Sequence, residues 1–301
     1  MTSSPLPGAS RPEPASGGSP AEGRGRPVDG VEVLGALSPS RAADFLTCPL
    51  LYRFRTIDRL PEPPSADATR GTLVHKVLED LFDLPAAERT PEQAREMLSP
   101  AWSTLLEAEP ELAEMFGGEG PDVAMWMRTC RQVLDRYFTL EDPRRLEPAE
   151  RELYVEALLD SKLLLRGFVD RLDEAPDGAL RVVDYKSGRS PGVGFEAKAL
   201  FQMKFYALVL WRTRGVVPAV LQLVYLGNGE ILRYVPDEQD LRATERKVEA
   251  IWRAIRVAED SGDWRPRESA LCSWCAHQAL CPAKGGTPPP LPVADLPTPS
   301  A

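Results

Sequence analysis

Apolar residues recur at helical spacing over much of the chain and alternate with polar residues in several segments beyond residue 149. Spacings of three and four residues predict amphipathic helices, whereas strict alternation predicts strands with one buried face. Helices are expected within 37–55 (ending near Cys48 and Pro49) and over 68–82, 194–213 and 237–260, with two or three more in 91–140. Strands are expected over 150–159, 162–175 and 179–188, and a hairpin over 219–235 that turns at Gly-Asn-Gly.

The order of these elements predicts an α/β fold with a mixed central sheet flanked by helices. The helical residues of 91–140 are acidic and rich in Leu, Trp and Met, so a helical insertion is expected over about 85–145. We find no internal repeat. No run approaches the 18 apolar residues that a membrane-spanning helix requires, so no membrane partner is expected.

The third predicted strand ends in Val-Val-Asp-Tyr-Lys-Ser-Gly, residues 182–188, where charged residues interrupt an apolar run. Side chains alternate across a strand, so Asp184 and Lys186 point to one face and Tyr185 to the other. An acid and an amine side by side at a strand end form either a simple ion pair or part of a reactive site. The motif alone favours the ion pair, because D-x-K is a weak pattern.

A second acid, Asp170, lies late in the preceding strand, in Arg-Gly-Phe-Val-Asp-Arg-Leu-Asp-Glu-Ala. Antiparallel pairing alone is expected to place Asp170 and Asp184 at opposite ends of their hairpin, whereas a β-bulge or a bend would bring them together. If they converge, two carboxylates and the imidazole of His75 offer ligands that suit Mg²⁺ or Mn²⁺. Lys186 would then be placed to orient a water molecule and to neutralise charge on a phosphate.

Composition adds two expectations about the ends and the location of the chain. Its 301 residues are 43% hydrophobic, which allows an ample core. Residues 1–36 and 285–301 are rich in Pro, Gly, Ser and Ala, so both tails are expected to be disordered. The first tail contains no apolar run typical of a signal peptide, and the protein is expected to be cytoplasmic.

The net charge of −9 argues against a nucleic-acid partner, but the charge is unevenly distributed. Acids concentrate in 78–125, whereas residues 181–214 hold seven basic residues against two acidic ones. A polyanion responds to local charge within about one Debye length, ~10 Å, so this basic stripe fits DNA. The alternative is an ordinary solvated helix face.

Five cysteines occur, at positions 48, 130, 272, 275 and 281. Disulfides are unusual in a cytosolic protein, and the tight spacing of Cys272, Cys275 and Cys281 indicates a metal or cluster site that needs a fourth ligand. Thiolates suit either an iron–sulfur cluster or zinc.

Four motifs together resemble the RecB-type nucleases of the PD-(D/E)XK superfamily. They read Gly71-Thr-Leu-Val-His75, Gly167-Phe-Val-Asp170-Arg-Leu-Asp173, Asp184-Tyr-Lys186 and Gln202-Met-Lys-Phe-Tyr206, in the family order. Each motif alone is weak, whereas the ordered set is specific. The resemblance covers residues 37–284 and implies a restriction-endonuclease-like nuclease core.

The resemblance also implies a role for each motif residue. His75, Asp170 and Asp184 would hold the metal, and Lys186 would be the catalytic lysine. Gln202 and Tyr206, one helical turn apart, would orient the site or touch DNA. Asp173 is expected to be a strand-end or turn acid.

Some relatives in this family, including AddB-type subunits and CRISPR-adaptation exonucleases, hold a [4Fe–4S] cluster on one upstream cysteine and three near the carboxyl terminus. Cys48, Cys272, Cys275 and Cys281 have this arrangement, with the last three in a segment spanning 268–284. Zinc is the alternative, in which His277 could replace a thiolate. Cys130 is expected to be a core residue of the insertion.

The function implied is a Mg²⁺- or Mn²⁺-dependent deoxyribonuclease, an exonuclease on single-stranded DNA ends in repair or recombination. One alternative is a DNA-binding subunit without catalysis, although such family members typically lose the D-x-K residues. Another is a nuclease module that serves a separate helicase. The chain has no G-x₄-G-K-[ST] phosphate loop, so ATP-driven unwinding would require that partner chain.

Overall fold

The computed structural model describes residues 28, 30–117, 122–192 and 196–292. The helices within this part are α1 (Pro39–Thr47), α2 (Pro49–Tyr52), α3 (Ala66–Leu81), α4 (Pro91–Ala108), α5 (Val123–Leu140), α6 (Glu196–Arg214) and α7 (Glu238–Ser261). The strands are β1 (Gly35–Leu37), β2 (Glu150–Leu158), β3 (Leu163–Glu174), β4 (Leu180–Lys186), β5 (Val220–Tyr225) and β6 (Glu230–Tyr234). Among the described helices, none is both long and apolar enough to cross a membrane.

Six described strands form one mixed sheet in the order β1-β3-β4-β5-β6, and β2 also pairs with β3. β3 pairs antiparallel with β2 and β4, β4 runs parallel to β5, and β5 and β6 form the predicted hairpin. The parallel β4–β5 pair is joined through α6, as such a crossover requires. The prediction of an α/β fold with a mixed, helix-flanked sheet is confirmed.

Helices cover both faces of the sheet. On one face α1, α6 and α7 enclose a core in which α6 is buried almost all round, with Met203, Phe205 and Ala207 fully enclosed. On the other face α3, α4 and α5 pack over Val183 and Tyr185 of β4. The predicted apolar face of α3 is buried in this second core. α6 and α3 therefore approach the end of β4 from opposite sides.

Capping residues account for several helix boundaries. The side chain of Ser38 accepts a hydrogen bond from the backbone N–H of Arg41, which starts α1. Asp237 and Asp240 form a reciprocal capping box at the start of α7. The helix predicted within 37–55 ends at Cys48. Pro49 then begins a new helix, α2, which is followed by a π-helical turn, Arg53–Ile57.

The predicted tails differ from the described structure near both domain boundaries. β1 was not predicted, and its residues Gly35 and Ala36 fall inside the segment expected to be disordered. Its side chains are buried, and Ala36 pairs with Leu164 of β3. At the other end, Arg53 donates a hydrogen bond to the carbonyl of Pro289. The remaining tail residues, 1–27, 29 and 293–301, lie outside the described residues.

Candidate active site

Lys186 and Asp184 at the end of β4 are held by one side chain of α6. Lys186 Nζ lies 2.7 Å from Asp184 Oδ2, so the predicted ion pair is present. Gln202 connects its two members, because its Nε2 donates to Asp184 Oδ1 at 3.0 Å and its Oε1 accepts from Lys186 Nζ at 2.9 Å. Asp184 is only 2% exposed, so the amine and the amide compensate a charge that water scarcely reaches.

Asp170 lies beside Asp184, and the prediction that antiparallel pairing separates them is wrong. Arg171 and Val183 form the last pair of this ladder, so Asp170 and Asp184 are the next residues on the two strands. β4 pairs only with the carboxyl-terminal third of the long β3, so Asp170 is at mid-strand where β3 and β4 diverge. The backbone N–H of Tyr185 donates to Asp170 Oδ2 at 2.7 Å, which ties this carboxylate to the end of β4.

At Glu152, the side chains of β2 change the face of the sheet to which they point. Leu153 and Val169 contact the core beneath α6. Arg151 donates instead to the Glu79 carbonyl and to Asp83 at the end of α3. Between them, Glu152 has a φ of +43°, in the left-handed region that few non-glycine residues adopt. This local twist turns Glu152 toward Asp170, and sequence reasoning missed Glu152 because it occupies an ordinary polar position of an alternating strand.

His75 enters the same cluster from α3. Its Nε2 lies 2.9 Å from the carbonyl oxygen of Tyr185, and a carbonyl only accepts, so Nε2 carries the proton. The unprotonated Nδ1 then faces Asp170 Oδ2 at 3.6 Å. Burial lowers the pKa of His75, which keeps the ring neutral. Ligand atoms of His75, Glu152 and Asp170 all lie within 4.8 Å of one another, close enough to share one metal ion.

The buried carboxylates of this cluster lie close to other carboxylates, and the positive charge beside them does not offset this crowding. Burial and the neighbouring Asp184 carboxylate raise the pKa of Asp170 well above its usual range. Burial and the carboxylate of Glu79 raise the pKa of Glu152 to about 7. Oxygen ligands with one imidazole suit Mg²⁺ or Mn²⁺, and a divalent cation would offset this crowding. The residues therefore fit such an ion, although Asp184 is directed to Lys186 and Gln202 rather than into the three-residue set.

The helix residues Gln202 and Tyr206 stand one turn apart, as their spacing predicts. Tyr206 is buried, its hydroxyl accepts from Gln202 Nε2 at 3.2 Å, and its ring covers Gly167. A β-carbon at Gly167 would lie 2.7 Å from the Tyr206 ring, so the glycine permits this approach. Tyr206 thus supports Gln202 and the strand before Asp170.

A family model of the PD-(D/E)XK nuclease superfamily matches residues 36–282. The chain belongs to this superfamily. The protein is also similar to the Gene 69 protein of Mycobacterium phage D29, with 28% identity over 197 residues that cover 60% of this chain and 70% of that one. A candidate exonuclease of known structure from Eubacterium rectale aligns with a TM-score of 0.54 and 14% identity, covering 88% of this chain and 94% of that chain. The structural likeness shows the fold alone.

In this nuclease-superfamily chain, Asp173 lies outside the acid cluster. It pairs with Arg171 at 3.0 Å and with Arg181 at 2.8 Å. Arg171 is itself buried and reaches Glu141 at 2.8 Å, so these residues fasten the end of α5 to β3 and β4. Asp173 therefore has a structural setting.

Several basic side chains of the predicted stripe over 181–214 form ion pairs with acids of the same chain. Arg181 pairs with Asp173, Lys204 with Asp240 at 2.7 Å, and Arg212 with Glu245. Fewer positive charges are therefore available to DNA than the count of basic residues in 181–214 indicates. Lys198, which is exposed near the start of α6, donates to the Thr47 hydroxyl at 3.2 Å, so its amine is directed to the end of α1.

Four of the five cysteines line a single cavity of about 230 Å³. They are Cys48, Cys272, Cys275 and Cys281. The backbone N–H of Arg267 donates to Cys48 Sγ at 3.3 Å, and that of Ser269 donates to Cys272 Sγ at 3.4 Å. Cys130 is fully buried in the other core, among the insertion helices. His277 is also buried, but it is engaged by Glu62 at 2.8 Å.

Proposed function

We propose that this protein is a metal-dependent deoxyribonuclease that hydrolyses phosphodiester bonds at the end of β4. The observation that carries the proposal is the placement of Lys186, which Asp184 and Gln202 hold beside the cluster of His75, Glu152 and Asp170. Polar and charged groups converge here from three strands and two helices. Such convergence exceeds what an isolated structural ion pair needs.

His75, Glu152 and Asp170 would hold the metal, with Asp184 next to them. A divalent cation bound there would supply Lewis-acid polarisation of a phosphate oxygen and offset the charge of the carboxylates. His75 is preset for this task, because the Tyr185 carbonyl fixes its proton on Nε2 and leaves Nδ1 as a ligand atom. Asp170 is likewise positioned by the backbone N–H of Tyr185.

Lys186 is proposed to be the catalytic lysine. Its ammonium can orient the attacking water and stabilise negative charge that builds on the phosphate in the transition state. Gln202 and Asp184 restrict the amine to one position, which lowers the cost of ordering it during the reaction. Tyr206 acts one step further away, by supporting Gln202.

The finer proposal is an exonuclease that degrades single-stranded DNA ends in repair or recombination, within the cytoplasm. The E. rectale protein is named as a candidate exonuclease, and this name supports the exonuclease proposal. The alternative of a DNA-binding subunit without catalysis is disfavoured by the intact Asp184, Lys186 and Gln202 constellation. A separate helicase partner is compatible with either activity.

We further propose that the four cavity cysteines hold an iron–sulfur cluster, with zinc as the alternative. The four thiols line one cavity, which supports a shared metal group. The contact of His277 with Glu62 disfavours a mixed zinc site in which this histidine replaces a thiolate.

The nuclease proposal is tested by incubating the purified chain with DNA labelled at either end, with Mn²⁺, with Mg²⁺ and with excess EDTA. The expected result is cleavage that needs the divalent ion. An exonuclease releases mononucleotides or short products from one end, whereas an endonuclease gives internal fragments. Cleavage that persists in excess EDTA would contradict the metal-dependent mechanism.

A further inference from the structure

Two aromatic side chains lie exposed beside the acid cluster. Tyr154 of β2 and Phe168 of β3 are direct cross-strand neighbours. Their ring centroids are 5.2 Å apart and the ring planes are inclined by 55°. Tyr154 is 40% exposed and Phe168 is 42% exposed, so the pair faces solvent rather than either core. Packing within the fold leaves much of both rings without a partner.

Their position along the strands connects them to the proposed active site. Tyr154 follows Glu152 by two residues, and Phe168 precedes Asp170 by two residues. At a rise of about 3.3 Å per residue, the aromatic pair lies about 7 Å along the hairpin from the acids. This is within the reach of a nucleotide whose phosphate occupies the acid cluster. The aromatic pair therefore neighbours the proposed site along the hairpin.

Both rings are held in place before any ligand arrives. The Tyr154 hydroxyl donates to Glu156 Oε2 at 2.7 Å, which restrains its ring. Burial of the hydroxyl and its bond to Glu156 raise the pKa of Tyr154 to about 12, so the ring is uncharged at neutral pH. Gly167, next to Phe168, lies against the Tyr206 ring, so the backbone beside Phe168 packs on α6. Ordered rings reduce the entropy cost of stacking on a ligand.

We propose that Tyr154 and Phe168 form the stacking surface for the nucleobase adjacent to the phosphodiester at the acid cluster, and that they select single-stranded over duplex DNA. Aromatic rings accept any base by stacking, so the surface would be tolerant of sequence. A base in a duplex is already stacked on its neighbours and is unavailable to these rings. The inference rests on the proposed nuclease function and specifies how that site holds its substrate.

The test measures binding of the full chain to single-stranded DNA in the presence of Mn²⁺. Lys186→Gln serves as the background to prevent cleavage, because an amide retains a donor beside Asp184. Fluorescence anisotropy compares a normal oligonucleotide with one of the same length that carries abasic residues. Phe168→Ala and Tyr154→Ala are expected to weaken binding of the normal strand by roughly 5- to 150-fold, the range measured for base–aromatic stacking.

The abasic strand supplies the decisive comparison. It cannot stack, so Phe168→Ala should leave its affinity within about twofold, whereas Phe168→Trp should preserve binding of the normal strand. Val257→Ala, which truncates a side chain on α7 that is 67% exposed, is the matched control and should change neither affinity. Phe168→Leu keeps an apolar side chain on the strand without a ring and should behave as Phe168→Ala does.

Two results on DNA affinity would overturn the stacking surface: equal weakening of both strands by Phe168→Ala, or no weakening of either. Self-association of the parent chain that Phe168→Ala abolishes, without a change in DNA affinity, would also overturn it and assign the pair to a second copy. The nuclease proposal fails separately. A parent chain that never cleaves DNA, yet shows the stacking dependence, would refute catalysis and retain the surface.

Discussion

The side-chain amide of Gln202 accepts from Lys186 Nζ at 2.9 Å and thereby sets the position of the proposed catalytic amine. The same amide donates to Asp184, so one residue of α6 fixes both charged residues of β4. This contact joins two elements that are distant in sequence. It gives Gln202 a positioning role that can be separated from substrate binding.

Gln202→Ala should therefore lower kcat by roughly 10- to 100-fold, because a mispositioned ammonium loses part of a charge-stabilising contribution of about 10²–10³-fold. DNA affinity should change little, since binding depends on many phosphate contacts. Steady-state kinetics and anisotropy separate the two effects. A matching loss of affinity would contradict a pure positioning role.

Glu152→Gln should weaken activation by Mn²⁺ at unchanged DNA affinity, because the neutral amide is a poorer ligand than a carboxylate. Calorimetric titration of metal into the protein measures this directly. Glu150→Gln, at the exposed start of β2, is the matched control. Identical metal affinity in both variants would exclude Glu152 from the metal site.

Arg171→Met should destabilise the fold by about 3–5 kcal/mol, because it leaves Glu141 without its buried partner. The Arg171 side chain is 1% exposed and that of Glu141 is 8% exposed, so water cannot compensate the carboxylate. Urea unfolding gives the free energy of unfolding. Arg144→Ala, which breaks an exposed ion pair with Asp142, should change the free energy of unfolding far less.

Cys48→Ala should prevent metal binding at the proposed four-cysteine site and sharply increase protease sensitivity, because that site would join the start of the domain to its end. Cys130→Ala should keep the metal, since Cys130 lies in the other core. Metal and sulfide analysis of anaerobically purified protein checks both variants. Iron with sulfide supports the cluster, stoichiometric zinc alone supports the alternative, and a fully stable Cys48→Ala variant contradicts the clip.

Residues that a local sequence pattern identifies were predictable. Asp184 and Lys186 interrupt an apolar strand, and the apolar face of α3 places His75 at its edge. The long helices and the hairpin over 219–235 follow from strong periodicity and turn residues. These signals depend on the chain within a few residues of each position, which is the range that sequence patterns cover.

Features that depend on pairing or on local strain were not predictable. The adjacency of Asp170 and Asp184 depends on how far β4 extends along β3, which no local pattern specifies. Glu152 enters the site through a positive φ, which nothing in its local sequence signals. β1 is three residues long and is held by its pairing with β3, so its own sequence gives almost no strand signal.

The most direct test of the account is the activity of Lys186→Ala with DNA binding measured in parallel. The account predicts a loss of roughly 10²–10⁴-fold in cleavage rate with DNA affinity nearly intact, because chemistry depends on one positioned amine. Lys186→Gln should show the same loss while folding as the parent does. Near-normal turnover in either variant would contradict the catalytic assignment and leave Asp184 and Lys186 as a structural ion pair.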